Sequence, residues 1–333
     1  MTGPRILLDC DPGDDDVAAI VVAAHFGELV GITTVSGNVG LELTTRNALV
    51  AAQVLGIDVP VHAGAARPLV GEPVHAEHVH GESGLGGATL PRVERQPASR
   101  DAVGFIVETA RAHESLWLVA TGPLTNVALA LRTAPDIAGR LQGISLMGGS
   151  TSFGNATAAA EFNIYADPEA AAIVFDSGIA MRMCGLNVTH KFLVGGDETA
   201  RLRELGNATG PFLADVLGYR LAAQQERVPG RRGSPLHDPC AVFAVTHPDV
   251  LQFEPRPVEV ELAGTKTRGM TVVDERGLRG RDRDANVEVA YRDRQRPRVR
   301  AAGGGGGGRT VDARPGSYPR CSMGTYWSWR LPV

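Results

Sequence analysis

Lysine is nearly missing from this chain of 333 residues: Lys191 and Lys266 are the only two, and arginine supplies the other permanently cationic side chains. With 33 Lys and Arg set against 37 Asp and Glu the formal net charge is -4, so no global basic field recruits nucleic acid. Cysteine is also scarce. Cys10, Cys184, Cys240 and Cys321 lie far apart with no CxxC pair, which excludes a thiolate zinc site and a disulfide framework. Three of the four sit in apolar surroundings and read as buried small side chains. No apolar stretch approaches the roughly 20 residues that span a bilayer. The start runs straight into a β-like segment, and the expected location is cytoplasmic. Few lysines beside abundant Ala and Gly suggest a GC-rich coding sequence.

What is present is an apolar fraction of 43 % arranged in two alternating textures. Runs rich in Ile, Val and Leu predict strands at 5–9, 29–35, 59–63, 116–120, 144–147 and 180–185. Ala-rich stretches of helical period predict helices at 15–25, 43–55, 102–113, 124–132, 168–176 and 239–245. The alternation implies an α/β fold, an open, mostly parallel sheet flanked by helices. Polar, Gly-rich motifs follow the strand ends, where open α/β sheets place their ligand crevice, so one site is assembled from several loops. From about Tyr291 the texture changes to Arg-rich sequence and a run of six glycines at 303–308. No period survives there, and the expected division is a domain at 1–290 and a disordered Arg/Gly-rich tail at 291–333.

Five carboxylates fall within eight residues in Asp9-Cys10-Asp11-Pro12-Gly13-Asp14-Asp15-Asp16. Carboxylates this close raise one another's pKa unless a cation is shared among them, and a hard divalent cation is the economical answer. An EF-hand does not fit: counted from Asp9, Gly13 falls at position 5 and Ile20 at position 12, where a bidentate Glu is required. The Asp-x-Asp of haloacid-dehalogenase-like phosphatases is disfavoured by Gly13. A helix N-terminus that merely prefers acidic residues explains 14–16 but not Asp9 and Asp11.

The segment resembles the DxDPGxDD signature of the inosine-uridine nucleoside hydrolase family. Further motifs follow in that family's order: Ser36-Gly37-Asn38, His80-Gly81-Glu82-Ser83-Gly84, Thr121-Gly122-Pro123-Leu124-Thr125-Asn126, Met147-Gly148-Gly149, Gly154-Asn155, Ala160-Glu161-Phe162-Asn163, Asp167-Pro168-Glu169-Ala170 and Leu236-His237-Asp238-Pro239. The likeness spans about 5–290. It implies calcium-dependent cleavage of the N-glycosidic bond of ribonucleosides to ribose and free base, a small-molecule substrate, and a homo-oligomer, dimer or tetramer. A nucleoside- or ribose-binding protein without turnover is the rival.

The resemblance also implies roles. Asp11 would hold calcium and act as general base. Asp16, the backbone carbonyl of Thr125 and Asp238 would complete the metal shell, with Asp9 supporting it. Asp238 also fits a helix N-cap before Pro239. Asp15, Asn38, Asn155, Glu161, Asn163 and Asp238 would grip the ribose, with Met147 against the sugar. His237 is the first candidate to protonate the leaving base and His80 the second. Gln225, counted back from Asp238, resembles a base-reading Gln of pyrimidine-preferring members, which points to uridine. Asp14 occupies the variable position of the signature, so its loss should be the mildest of the five. The family closes with a C-terminal helix where this chain turns Arg-rich, a change that a shifted reading frame would produce.

Overall fold

Along the first strand, Ile6, Leu8 and Cys10 belong to one apolar core and Leu7 to another, as the two-residue period of a strand requires. A sheet buried on both faces needs helices on both, and the computed structural model of the protein supplies them. It describes residues 3–227, 230, 233–276 and 284–293. The strands are β1 (Arg5–Cys10), β2 (Glu28–Thr34), β3 (Val61–Ala63), β4 (Leu116–Ala120), β5 (Leu141–Met147), β6 (Met181–Cys184), β7 (Leu193–Val194), β8 (Ser234–Pro235), β9 (Leu251–Arg256), β10 (Val258–Val260), β11 (Thr271–Val273) and β12 (Val287–Asp293).

The main sheet runs β3-β2-β1-β4-β5-β6-β12-β9. Its pairings are parallel except that of β12 with β9. From β1 the chain winds outward to β2 and β3, then returns to β4 on the other side and winds the opposite way. The strand order therefore reverses between β1 and β4, paired in register from Arg5 opposite Leu116 to Asp9 opposite Ala120. In open α/β sheets that reversal opens a crevice at the carboxyl ends of the two strands.

The helices are α1 (Asp14–Phe26), α2 (Leu41–Leu55), α3 (Glu77–His80), α4 (Ala102–Ala112), α5 (Thr125–Thr133), α6 (Phe162–Ala166), α7 (Pro168–Phe175), α8 (Leu186–Thr189), α9 (Gly196–Arg203), α10 (Thr209–Arg227) and α11 (Pro239–Thr246). Residues of α1, α2, α10 and α11 fill one core, and residues of α4, α5 and α7 fill the other. Each fully buried Ile or Leu contributes roughly 1.5–3 kcal/mol. Val17 to Ala23 of α1 are all buried, because α11 packs on it from one side and α2 and α10 from others. An all-round apolar helix of this kind holds its N-terminus, and therefore the carboxylates there, firmly in place.

β12 continues to Asp293, beyond the boundary at 290, because Arg292 and Asp293 still have ladder partners in Gln252 and Leu251 of β9. The remainder of the expected tail, 294–333, lies outside the described residues. β9 itself went unpredicted. Pro255 interrupts its pattern and is tolerated because the strand is an edge. Cys10, Cys184 and Cys240 are buried and unpaired, as expected of small apolar residues; Cys321 lies outside the described residues.

Candidate functional site

A cleft of about 360 Å³ opens at the carboxyl ends of the strands. It is lined by Asp15 after β1, Asn38 after β2, His80 of α3, Thr121 after β4, Met147 of β5, Asn155, Glu161 and Asn163 before and within α6, Arg220 and Gln224 of α10, and His237 and Asp238 before α11. Motifs separated by more than two hundred residues thus converge on one wall-and-floor arrangement.

The floor is acidic. Asp15, Asp16 and Asp238 are buried, and each brings an oxygen within 4.8 Å of the others'. Asp16 is fixed from three directions: its Oδ2 accepts from the Gly13 backbone N at 2.9 Å and Asn38 Nδ2 at 3.1 Å, and its Oδ1 accepts from the Thr121 hydroxyl at 2.8 Å. Asp11 lies beside it. Its Oδ2 accepts from the Asn38 backbone N at 2.7 Å, whereas its buried Oδ1 has no hydrogen-bond partner. Gly37 and Gly122 close over this carboxylate so tightly that a Cβ on either would stand 2.0 Å and 2.7 Å from its oxygens. Asp238 precedes Pro239 at the first turn of α11, yet its side chain makes no capping hydrogen bond. Its carboxylate is committed to the floor instead.

Burial and mutual repulsion push these groups upward. Asp11 and Asp238 are held well above the usual carboxylate range by burial and then by their acidic neighbours, and burial raises Asp16 as well. Burial lifts Asp15 to about 6 even though Arg220 pulls the other way. A crowded, buried set of oxygens, one without a donor, is the environment a hard divalent cation neutralises. Asp11, Asp16 and Asp238 fit that chemistry.

The rest of the wall is partly committed. Glu161 caps α6, its Oε1 accepting from Asn163 N at 3.0 Å and its Oε2 from Gly149 N at 2.9 Å and Ile164 N at 3.2 Å. Burial still raises its pKa to about 7 against those donors. Asn163 Nδ2 donates to the carbonyls of Thr121 at 2.7 Å and Met147 at 3.0 Å, tying the ends of β4 and β5 together. Asn155 is exposed at the rim and accepts from Phe162 N at 2.9 Å. Thr125, the first residue of α5, uses its hydroxyl on Asp167 at 2.6 Å.

Four sequence assignments look different in place. Asp9 does not join the acidic floor: its Oδ1 accepts from the Thr33 hydroxyl at 2.6 Å and Asn126 Nδ2 at 2.8 Å, beneath the cleft. It is fully buried within β1. Gln225 is exposed and absent from the lining, which has Gln224; about 100° of rotation per helical residue turns Gln224, not Gln225, onto the face of Arg220. The two histidines sit in opposite electrostatic surroundings. Burial, Arg220 and His190 push His237 well below its usual value, while its Nδ1 pairs with the Thr189 hydroxyl at 2.8 Å. Burial lowers His80 too, but Asp14 at 2.9 Å outweighs it, and the ring is shifted upward. Asp14, assigned the variable position, is buried and ion-paired with Arg220 at 2.6 Å.

Sequence reasoning missed Arg220, Thr121 and Asn126. Asn126 accepts from Ala65 N at 2.8 Å and donates to Asp9 and to Thr34 O, tying β1, β2 and the loop after β3 to α5. Arg220 carried a legible signal: it lies in helical step with the buried Leu213, Val216 and Leu217, where a charge is out of place without a partner.

The fold is shared with solved nucleoside hydrolases. A purine-preferring ribonucleoside hydrolase from Gardnerella vaginalis superposes with a TM-score of 0.80 at 36 % identity, covering 86 % of this chain and 93 % of that one. A plant nucleoside hydrolase does so with a TM-score of 0.79 at 31 % identity, over 86 % and 94 %. The chain belongs to the inosine-uridine preferring nucleoside hydrolase family, which it matches over residues 6–300. The pyrimidine-specific ribonucleoside hydrolase RihA of Escherichia coli K12 is 45 % identical over 279 residues, 83 % of this chain and 90 % of the relative. The protein is an N-glycosyl hydrolase acting on ribonucleosides. Among the described residues no helix is long and apolar enough to cross a membrane.

Proposed function

We propose that the chain hydrolyses pyrimidine ribonucleosides, uridine foremost, in a calcium-dependent reaction that yields ribose and free base. The observation that carries the cation requirement is the buried floor of Asp15, Asp16 and Asp238 beside an Asp11 oxygen that no donor reaches. The pyrimidine preference is supported by the 45 % identity to the pyrimidine-specific relative.

Asp11, Asp16, Asp238 and the backbone carbonyl of Thr125 would hold the calcium ion. When bound, it would supply positive charge that lowers the pKa of a nearby water. Asp11 takes the proton of the attacking water. Asp15 accepts hydrogen bonds from the ribose diol, and Asn155, Glu161 and Asn163 approach the remaining hydroxyls. Met147 packs against the sugar. Asn38 donates from its side chain to the Asp16 carboxylate and from its backbone N to that of Asp11, so its contribution is to set those carboxylates.

As the C–N bond breaks, its electron pair leaves with the base, and the sugar carries oxocarbenium character. The base then needs a proton. His80, whose ring Asp14 holds beside the cleft, is the donor favoured by the charge balance; His237 serves as a neutral ring that closes the wall. A homo-oligomeric state belongs to the same reading.

Release of free ribose from uridine, cytidine and inosine, measured with calcium, with a chelator, and in Asp11→Ala, tests it. Hydrolysis that requires calcium and vanishes in the variant is expected. Undiminished hydrolysis in chelator removes the cation from the mechanism, and nucleoside binding without ribose release removes the catalysis.

A further inference from the structure

Asp15 is held at both of its carboxylate oxygens by elements distant in sequence. Its Oδ2 accepts from the His237 backbone N at 3.3 Å, and its Oδ1 lies 3.0 Å from Arg220 Nη1. That same nitrogen lies 2.6 Å from Asp14 Oδ1, and Asp14 in turn meets His80 at 2.9 Å. The side chains of Arg220 and Asp14 are 7 % and 2 % exposed, so the contacts are screened little by water.

We infer that Arg220 is a positioning residue: its guanidinium sets the Asp15 carboxylate for the ribose hydroxyls, and Asp14 is the counter-ion that keeps the guanidinium there. The inference rests on the reading of Asp15 as the ribose-binding carboxylate. A counter-ion pair needed only for stability has no reason to touch the one carboxylate of the first turn of α1 that lines the cleft, nor to line the cleft itself. Arg220 does both. A planar guanidinium, fixed on one side by Asp14, leaves Asp15 fewer rotamers than a solvated carboxylate would have. The device also accounts for Asp14, which neither the acidic floor nor the cleft lining includes.

Arg220→Leu, Asp14→Leu and the double variant separate positioning from stability. Arg220→Leu strands Asp14 and Asp15, and Asp14→Leu leaves Arg220 only its contact with Asp15, so each lowers the thermal midpoint. The double variant leaves an apolar pair and regains part of the loss relative to Arg220→Leu, since only Asp15 is then without its cation. The decisive readout is the ratio of kcat/KM for uridine to that for 2′-deoxyuridine and for 3′-deoxyuridine. The ratio is independent of how much enzyme is folded, so it can be read in a destabilised variant and in the milder Arg220→Gln. We expect Arg220→Gln and the double variant to lose about tenfold or more of the discrimination against at least one deoxynucleoside, the scale of a misplaced contact. Unchanged discrimination against both would overturn the inference, as would a double variant no more stable than Arg220→Leu. Failure of the wild type to release ribose would instead strike the underlying function.

Discussion

Thr121 and Asp16 meet across the point where the strand order reverses: the hydroxyl that follows β4 donates to the carboxylate in the first turn of α1 at 2.8 Å. The bond leaves one fewer rotational freedom to a carboxylate proposed as a calcium ligand, and supporting bonds of this kind usually change metal affinity about 10- to 100-fold. Thr121→Val keeps the shape and removes the donor. Calcium affinity, read by the concentration that half-restores ribose release after chelation, should weaken by about tenfold with little change in saturated rate.

Asp14 should be among the most costly of the five clustered carboxylates to remove, reversing what its variable position in the signature suggests. Asp14→Ala leaves Arg220 buried without its nearest counter-ion. Breaking one half of a buried pair costs roughly 3–5 kcal/mol. Chemical denaturation of calcium-loaded protein, compared with a variant of the exposed Asp58, would measure the difference.

Without calcium, stability should fall as pH rises. Burial holds Asp9 and Asp15 at about 6 and Glu161 at about 7, all above their unfolded values. The native state therefore binds more protons than the unfolded chain between about pH 4 and 7, and stability is lost through that window. His80, also raised, adds to the loss above its ordinary value, whereas His237, pushed down, opposes it. Thermal midpoints in chelator should drop from about pH 5 to 7.5, and saturating calcium should remove most of the drop, because a bound cation favours the ionised floor.

Gln224 and Gln225 give opposite expectations for base preference. Gln224→Ala, inside the cleft, should change the uridine-to-inosine ratio of kcat/KM by severalfold, whereas Gln225→Ala, outside it, should leave the ratio within about twofold. Competition between the two nucleosides in one assay reads the ratio directly.

The contrast between those neighbours shows what a sequence makes visible. Period and strand-end motifs located the central strands and the loops that face the cleft, because burial on both faces of a parallel sheet leaves a strong apolar signature. Asp11 and Asp16 were legible as charges that need a common partner, whereas Asp238 was reached only through the family resemblance. What the sequence could not show depends on orientation. A one-residue step on α10 separates lining from solvent, and the pairing of Asp14 with Arg220 spans 206 positions with no local pattern. Proton affinities were hidden for the same reason: His80 and His237 differ through their neighbours, Asp14 for one and Arg220 with His190 for the other.

β12 lies between β6 and β9 in the sheet although it follows both in the chain. While the chain emerges from the ribosome, β6 is therefore an open edge and β9 has no strand to join, however much of the cleft has already formed. The last described strand is the keystone of that flank. A nascent chain halted before Val287 presents an unpaired parallel edge, which is a template for association with other chains.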